Sequence, residues 1–268
     1  MSDMQATQPE SAPRPNLLPF QDLVNGVTVE DVFGWLAKGW TDFKGGGMVS
    51  FSYGLIFVVA GLALTVGLFL SGYEYLIVPL LESFLFISPA LTVGFYAISR
   101  ELEKGSKLSL AGALRAWSEN FKAILTFGLA LVIFMLVWLR FAVLIFALSF
   151  PHTPMKLQPI INATFFSVDG YIFLALGCAV GGMMALLVFM GSVVALPMML
   201  DRGVGFGKAV VVSFVTVLTN FRPMMVWAAI IVVVTGAGML AGIIGLAFTL
   251  PLIGHASWHA YRGLIKVE

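Results

Sequence analysis

From Met48 onward the chain is a succession of apolar runs, each about as long as a bilayer is thick, and this feature constrains the fold more than any other. A hydrocarbon core of about 30 Å takes about 20 apolar residues in a helix. Runs of that kind cover 48–71, 75–99, 123–150, 170–200, 223–239 and 241–261. Lipid offers the backbone no hydrogen-bond partner, so each run must be helical. The pattern predicts an all-α integral membrane protein with six transmembrane helices. Composition agrees: 59% of the 268 residues are hydrophobic and 11% charged, against about 45–50% and about 25% in ordinary soluble domains. A soluble fold of this size has too little interior to hide so much apolar surface, which excludes a soluble enzyme. The formal net charge of +1 carries no polyanion signature, so nucleic acid is not an expected partner. Cys178 is the one cysteine, so neither a disulfide framework nor a Cys-based zinc site is available.

Residues 1–27 are polar and punctuated by Pro9, Pro13, Pro15 and Pro19, a composition expected of a disordered tail. It lacks the basic start and adjoining apolar core of a secretory signal, so no cleavage is expected. Thirteen of the 15 lysines and arginines fall in the tail and first helix, in the second-to-third and fourth-to-fifth connections, or at the C-terminus. Lys156 lies in an opposite loop and Arg140 inside a span. The positive-inside rule then puts both termini in the cytoplasm.

The basic segments have a helical pattern of their own. Val29, Val32, Phe33, Leu36, Trp40 and Phe43 recur at steps of three and four, on one helical face. Thr28 and Asp31 have the spacing of a capping box, and Gly45-Gly46-Gly47 is expected to end this helix. Leu110, Ala113, Leu114, Trp117 and Phe121 repeat the pattern after Ser109, a predicted N-cap; Val210, Phe214, Val217, Leu218 and Phe221 repeat it again. Each segment closes on an aromatic–basic pair (Phe43-Lys44, Phe121-Lys122, Phe221-Arg222), and the second span after each carries a proline: Pro89, Pro197 and Pro251. Such prolines act as structural bends, or as the hinges of a broken-helix site. The reading is three copies of one unit, an amphipathic interfacial helix and then a transmembrane hairpin, over about 28–104, 105–203 and 204–268. Residues 28–268 then form a single membrane domain, whose interfacial tryptophans and lysines meet anionic lipid headgroups.

Several stretches carry a resemblance: Gly34-Trp35-Leu36 with Gly39-Trp40, Ser88-Pro89 through Glu101-Leu102, Leu196-Pro197 through Asp201-Arg202, and Leu250-Pro251 through Arg262. In these the chain resembles a family of predicted bacterial integral membrane proteins of unknown function, some of whose members are labelled cytochrome c oxidase subunit I. The resemblance implies a polytopic inner-membrane protein and supplies no catalytic residues. A haem-copper oxidase core needs two histidines for the low-spin haem, one for the high-spin haem and three for copper. The chain has His152, His255 and His259, so a catalytic oxidase subunit is excluded by ligand supply, while an accessory or assembly role is not.

Few residues in the spans carry chemistry. His255 and His259 are four apart and share a helical face, which makes them a weak candidate metal pair; the alternative is two interfacial histidines packed beside Trp258 and Tyr261. Glu82 and Arg140 are the charges deepest in the spans, where a charge costs on the order of 2.5–3.5 kcal/mol. They read as a candidate intramembrane polar pair, lining a pathway or fixing helix register. Gly177/Gly181 and Gly238/Gly242 have the spacing of close helix packing. No phosphate-binding loop, nucleophile elbow or HExxH motif occurs. The expected function is a non-catalytic inner-membrane protein without a cofactor, organising lipid or serving as scaffold, assembly or accessory factor for a membrane (respiratory) complex. The alternative is a small transporter or channel using Glu82 and Arg140.

Overall fold

The computed structural model describes residues 18–154 and 156–266, apart from the side chains of Val78, Glu82 and Leu157. Its named elements are all helices: α1 (Val29–Leu70), α2 (Ile77–Leu91), α3 (Val93–Glu103), α4 (Leu110–Glu119), α5 (Phe121–Ser149), α6 (Leu157–Phe165), α7 (Val168–Ser192), α8 (Ala195–Arg202), α9 (Phe206–Thr219), α10 (Phe221–Leu240) and α11 (Leu246–Leu264), with short 3₁₀ turns at Gln21–Leu23 and Glu74–Leu76. Among the described residues, five helical stretches are long and apolar enough to cross a membrane: Val29–Leu70, Ser83–Glu103, Phe121–Ser149, Val168–Arg202 and Phe221–Leu240. The expected last span, 241–261, is not among them. Its helix α11 is diluted by His255, Ser257, Trp258, His259 and Tyr261.

Local signals set the helix ends. The Thr28–Asp31 capping box forms, with the Thr28 N–H donating to Asp31 Oδ2 at 2.7 Å. Ser109 caps α4 by accepting from the Gly112 N–H at 3.0 Å. Gly47, at φ 46° and ψ −125°, interrupts α1 between its amphipathic and apolar halves, a conformation glycine adopts at no steric cost. The second and third amphipathic helices end earlier than their pattern suggests. Asn120 and Asn220 break the chain, and Phe121-Lys122 and Phe221-Arg222 begin α5 and α10 instead of closing α4 and α9.

Two more of the long stretches are interrupted. Pro89 has no N–H for the Leu85 carbonyl, and the Ser88 hydroxyl donates to that carbonyl instead, at 3.0 Å. The helix then restarts at Val93. Pro197 sits in the first turn of α8, and just before it the free N–H of Val194 is taken up by Ser213 Oγ of α9 at 3.3 Å. Pro251 lies inside α11 without breaking it.

The core lies where α3, α8 and α11 meet one another. Val93–Ser99 of α3 and Ala195–Leu200 of α8 are buried throughout, as are Trp258, Ala260 and Tyr261 of α11. The first half of α1 crosses α11 so closely that a Cβ on Gly39 would lie 2.6 Å from the Ala256 nitrogen. Of the small-residue pairs, Gly181 faces the Trp138 ring and Gly238 faces Thr249 and Gly245, whereas Gly177 meets no side chain and Gly242 sits in a turn at φ 73°. Outward faces of α1, α5 and α10 expose Val59, Leu64, Leu129, Ile133, Val232 and Val233. An apolar surface of this extent belongs in lipid.

Of the tail expected over 1–27, residues 1–17 lie outside the described residues, whereas 18–27 pack against the other end of the chain. Val24 pairs with Ile265 in an antiparallel bridge, the Asn25 N–H donates to the Leu264 carbonyl at 2.8 Å, and the Lys266 N–H donates to the Leu23 carbonyl at 2.9 Å. These backbone bonds override the tail's polar composition.

Candidate functional site

The ends of α3, α8 and α11, with α4, α9 and the start of α1, form one polar end of the bundle. Each inner helix brings one arginine there, and each arginine reaches a different neighbour. Arg100 of α3 donates to the Leu200 carbonyl of α8 at 3.1 Å and grips both oxygens of Glu119 at 2.7 and 2.8 Å. Arg202 of α8 donates through Nε to the Tyr261 hydroxyl of α11 at 3.1 Å and also reaches the Lys266 carbonyl. Arg262 of α11 lies 3.5 Å from Glu103 of α3 and 3.8 Å from Asp201 of α8. The same two carboxylates accept from aromatic donors, Glu103 from Trp258 Nε1 at 3.0 Å and Asp201 from the Tyr261 hydroxyl at 2.8 Å. Both Glu119 oxygens are held by Nη2 while Nη1 serves the carbonyl, and such charge-assisted bonds are stronger than neutral ones.

A second polar strip runs inward from this end. His259 Nε2 lies 2.8 Å from Asp42 of α1, and the Asp42 carboxylate also faces Ser99 of α3. One turn deeper, His255 is fully buried, with Nε2 at 2.9 Å from Ser50 Oγ and Nδ1 at 2.7 Å from Ser99 Oγ. A neutral imidazole has one donor and one acceptor, and hydroxyls serve either role, so the ring is fully satisfied. The structure therefore gives His255 and His259 separate hydrogen-bonding partners. Among the described residues no group of three metal-binding side chains occurs. A cleft of about 440 Å³ opens beside the strip, lined by Asn25, Trp35, Lys38, Glu103, His259 and Arg262 among others.

Arg140 is exposed on the outer side of α5. The Glu82 side chain, the other member of the expected pair, lies outside the described residues. His152 is exposed in the turn after α5, far along the chain from the polar end. Sequence reading missed the partners Asp42, Ser50, Ser99, Glu103 and Asp201. Ser50 and Ser99 had one available signal, a hydroxyl placed in an otherwise apolar stretch, and Asp42 had another, a carboxylate one turn from a glycine break.

Apolar helices with lipid-facing exteriors and polar side chains gathered at one end define a polytopic integral membrane protein of unknown function. Residues 77–201, from the start of α2 into the last turn of α8, match the family described as predicted integral membrane protein (DUF2189). No curated protein matches the chain, and no solved structure does.

Proposed function

We propose that this is a non-catalytic membrane protein that holds anionic lipid headgroups at its polar end and acts as a scaffold, assembly or accessory factor for a membrane complex, such as a respiratory one. One observation carries the reading. Three aromatic–basic pairs stand exposed around the polar end: Trp40 with Lys44, whose ammonium lies 5.9 Å from the indole centroid, Phe121 with Lys122, and Phe221 with Arg222. Aromatic rings beside basic groups suit the headgroup level, where each cation is worth about 1 kcal/mol near an anionic surface. The same basic end favours an inner-membrane orientation with both termini cytoplasmic.

The fold reading that goes with it is three units, 28–104, 105–203 and 204–268, arranged about a pseudo-threefold axis, each an amphipathic helix followed by a hairpin. The hand-over of Arg100, Arg202 and Arg262, each to the next unit in cyclic order, supports it. So do the matching breaks at Asn120 and Asn220, which hold the entries to the following units at Val204 and at Asn25. The Val24–Ile265 bridge stands where a covalent link from third unit to first would be.

The test is lipid retention. Protein purified in mild detergent is expected to keep anionic phospholipid, and the combined variant Lys44→Gln, Lys122→Gln, Arg222→Gln to lose most of it while staying folded. Equal retention by both proteins refutes the headgroup role. A second reading, a small transporter or channel, is favoured by the buried Ser50–His255–Ser99 strip and by the Arg140 charge in α5. Proteoliposomes with no flux of protons, ions or small anions, or an Arg140→Leu protein with unchanged flux, count against it and its Glu82/Arg140 pathway respectively.

A further inference from the structure

The three hairpin turns differ in chemistry. The first contains Ser71, Tyr73 and Glu74, and the second contains His152, Lys156, Gln158 and Asn162. The third reads Ala241-Gly242-Ile243-Ile244-Gly245 and has no polar side chain at all. Ile244 in this turn is nonetheless 59% exposed, and Leu240 just before it 91%. In water this tip would be an apolar patch without cover; in lipid it is at home. Length points the same way. Helices α5 and α10 start alike, at a phenylalanine after an asparagine, but α5 has 29 residues and α10 has 20. At a rise of 1.5 Å per residue, α10 stops about 13 Å short of the level α5 reaches.

Part of the turn's backbone is paired within it. Ile243 donates to the Met239 carbonyl at 3.1 Å, Leu246 to Ile243 at 3.0 Å and Ala247 to Ile244 at 3.0 Å. Gly242 and Ile243 both take positive φ, 73° and 69°, a conformation rare for a β-branched residue. Packing holds Ile243 there: it is 8% exposed and its Cγ2 would lie 3.3 Å from a Cβ on Gly61. Beyond this tip, α1, α2 and the middle of α5 enclose a groove of about 500 Å³, lined by Leu64, Leu80, Phe84, Met135, Met239 and Ile243 among others. Its polar lining among the described residues is Thr65 and Ser83, and the Ser83 hydroxyl already donates to the Pro79 carbonyl at 2.6 Å.

We propose that the turn of the last hairpin never leaves the hydrocarbon and that the groove beyond it is a binding site for the acyl tail of a membrane lipid. At that depth neither water nor a soluble partner is present, and an empty groove forfeits the dispersion contacts of its walls. A flexible hydrocarbon chain is the partner whose chemistry matches the lining. The site is separate from the headgroup surface, which lies at the opposite end of the bundle.

Two measurements on the full-length protein test it. In a Cys178→Ser background, Tyr73→Cys is expected to react with a membrane-impermeant maleimide in sealed membranes, whereas Ile244→Cys reacts only after detergent is added. Equal reaction of the two in sealed membranes overturns the submerged turn. In nanodiscs containing a phospholipid with a diazirine in its acyl tail, irradiation is expected to label the peptides carrying Leu80 and Phe84 several-fold more than those carrying the outward-facing Leu129 and Val232. The excess is lost in Ala60→Trp, which fills the groove, and is kept in the triple variant neutralised at the polar end. Even labelling throughout, which is bulk lipid alone, or crosslinking of the groove to a second copy of the chain, overturns the acyl-chain site in the unmodified protein.

Discussion

Asn220 holds the backbone of Val27 from across the sequence: its Oδ1 accepts from the Val27 N–H at 2.9 Å while its amide donates to the Asn25 carbonyl at 2.9 Å. The side chain is buried, with 5% exposed, and it completes the two orphan groups of the segment that leads into α1. Asn220→Ala removes both bonds, and leaving a buried group unpaired costs about 1–3 kcal/mol. The segment before Val29 is expected to open first, read as faster proteolysis there with the rest of the bundle still protected.

The buried imidazole of His255 satisfies two hydroxyls, so its loss strands both. His255→Phe is expected to lower thermal stability in detergent by about 2–4 kcal/mol, from two orphaned donors or acceptors and a tight fit. Adding Ser50→Ala and Ser99→Ala to that variant is expected to recover most of the loss, because removing every partner of a buried polar set is far cheaper than removing one. A triple variant no more stable than His255→Phe contradicts this account.

Gly39 meets the backbone of Ala256, which has no flexible end to move aside. Gly39→Leu is expected to drive α1 off α11 and to abolish stable insertion. Gly34→Ala, on the same helix but with open space around it, serves as the control and is expected to fold normally. Detergent-soluble yield and size-exclusion profile read the difference.

Arg100 uses the planar fork of its guanidinium, reaching a carbonyl and both oxygens of a carboxylate at once. Arg100→Lys keeps the charge and loses that geometry. Glu119 is half exposed, with 42% side-chain exposure, so its share is screened by solvent, and the expected cost is about 1–2 kcal/mol. The part owed to the Leu200 carbonyl persists at high salt, so unfolding measured at low and high ionic strength is expected to show a loss that salt reduces without removing.

What could be read before any coordinates were the features held within a few residues of one another. The Thr28–Asp31 cap, the Ser109 cap, the break at Gly47 and the apolar length of the long helices all depend on neighbours three or four positions apart, whose relative placement in a helix is known in advance. The boundaries of α4 and α9 were misjudged for a related reason. Asn120 and Asn220 look like ordinary helix residues until their side chains are seen to hold distant backbone, Asn120 at Met199 and Val204 and Asn220 at Asn25 and Val27.

The amino-acid order alone therefore determined that the chain is helical, apolar and suited to lipid, because burial of the backbone in hydrocarbon leaves no other choice. Which polar groups meet was decided by tertiary packing. Ser50 and His255 are 205 positions apart and Ser99 and His255 are 156 apart, and nothing in their spacing tells which of several helices will lie side by side. The same reason governs the turn between α10 and α11: its apolar residues are visible in the sequence, but that Ile243 packs against Gly61 of α1 is decided only by the fold.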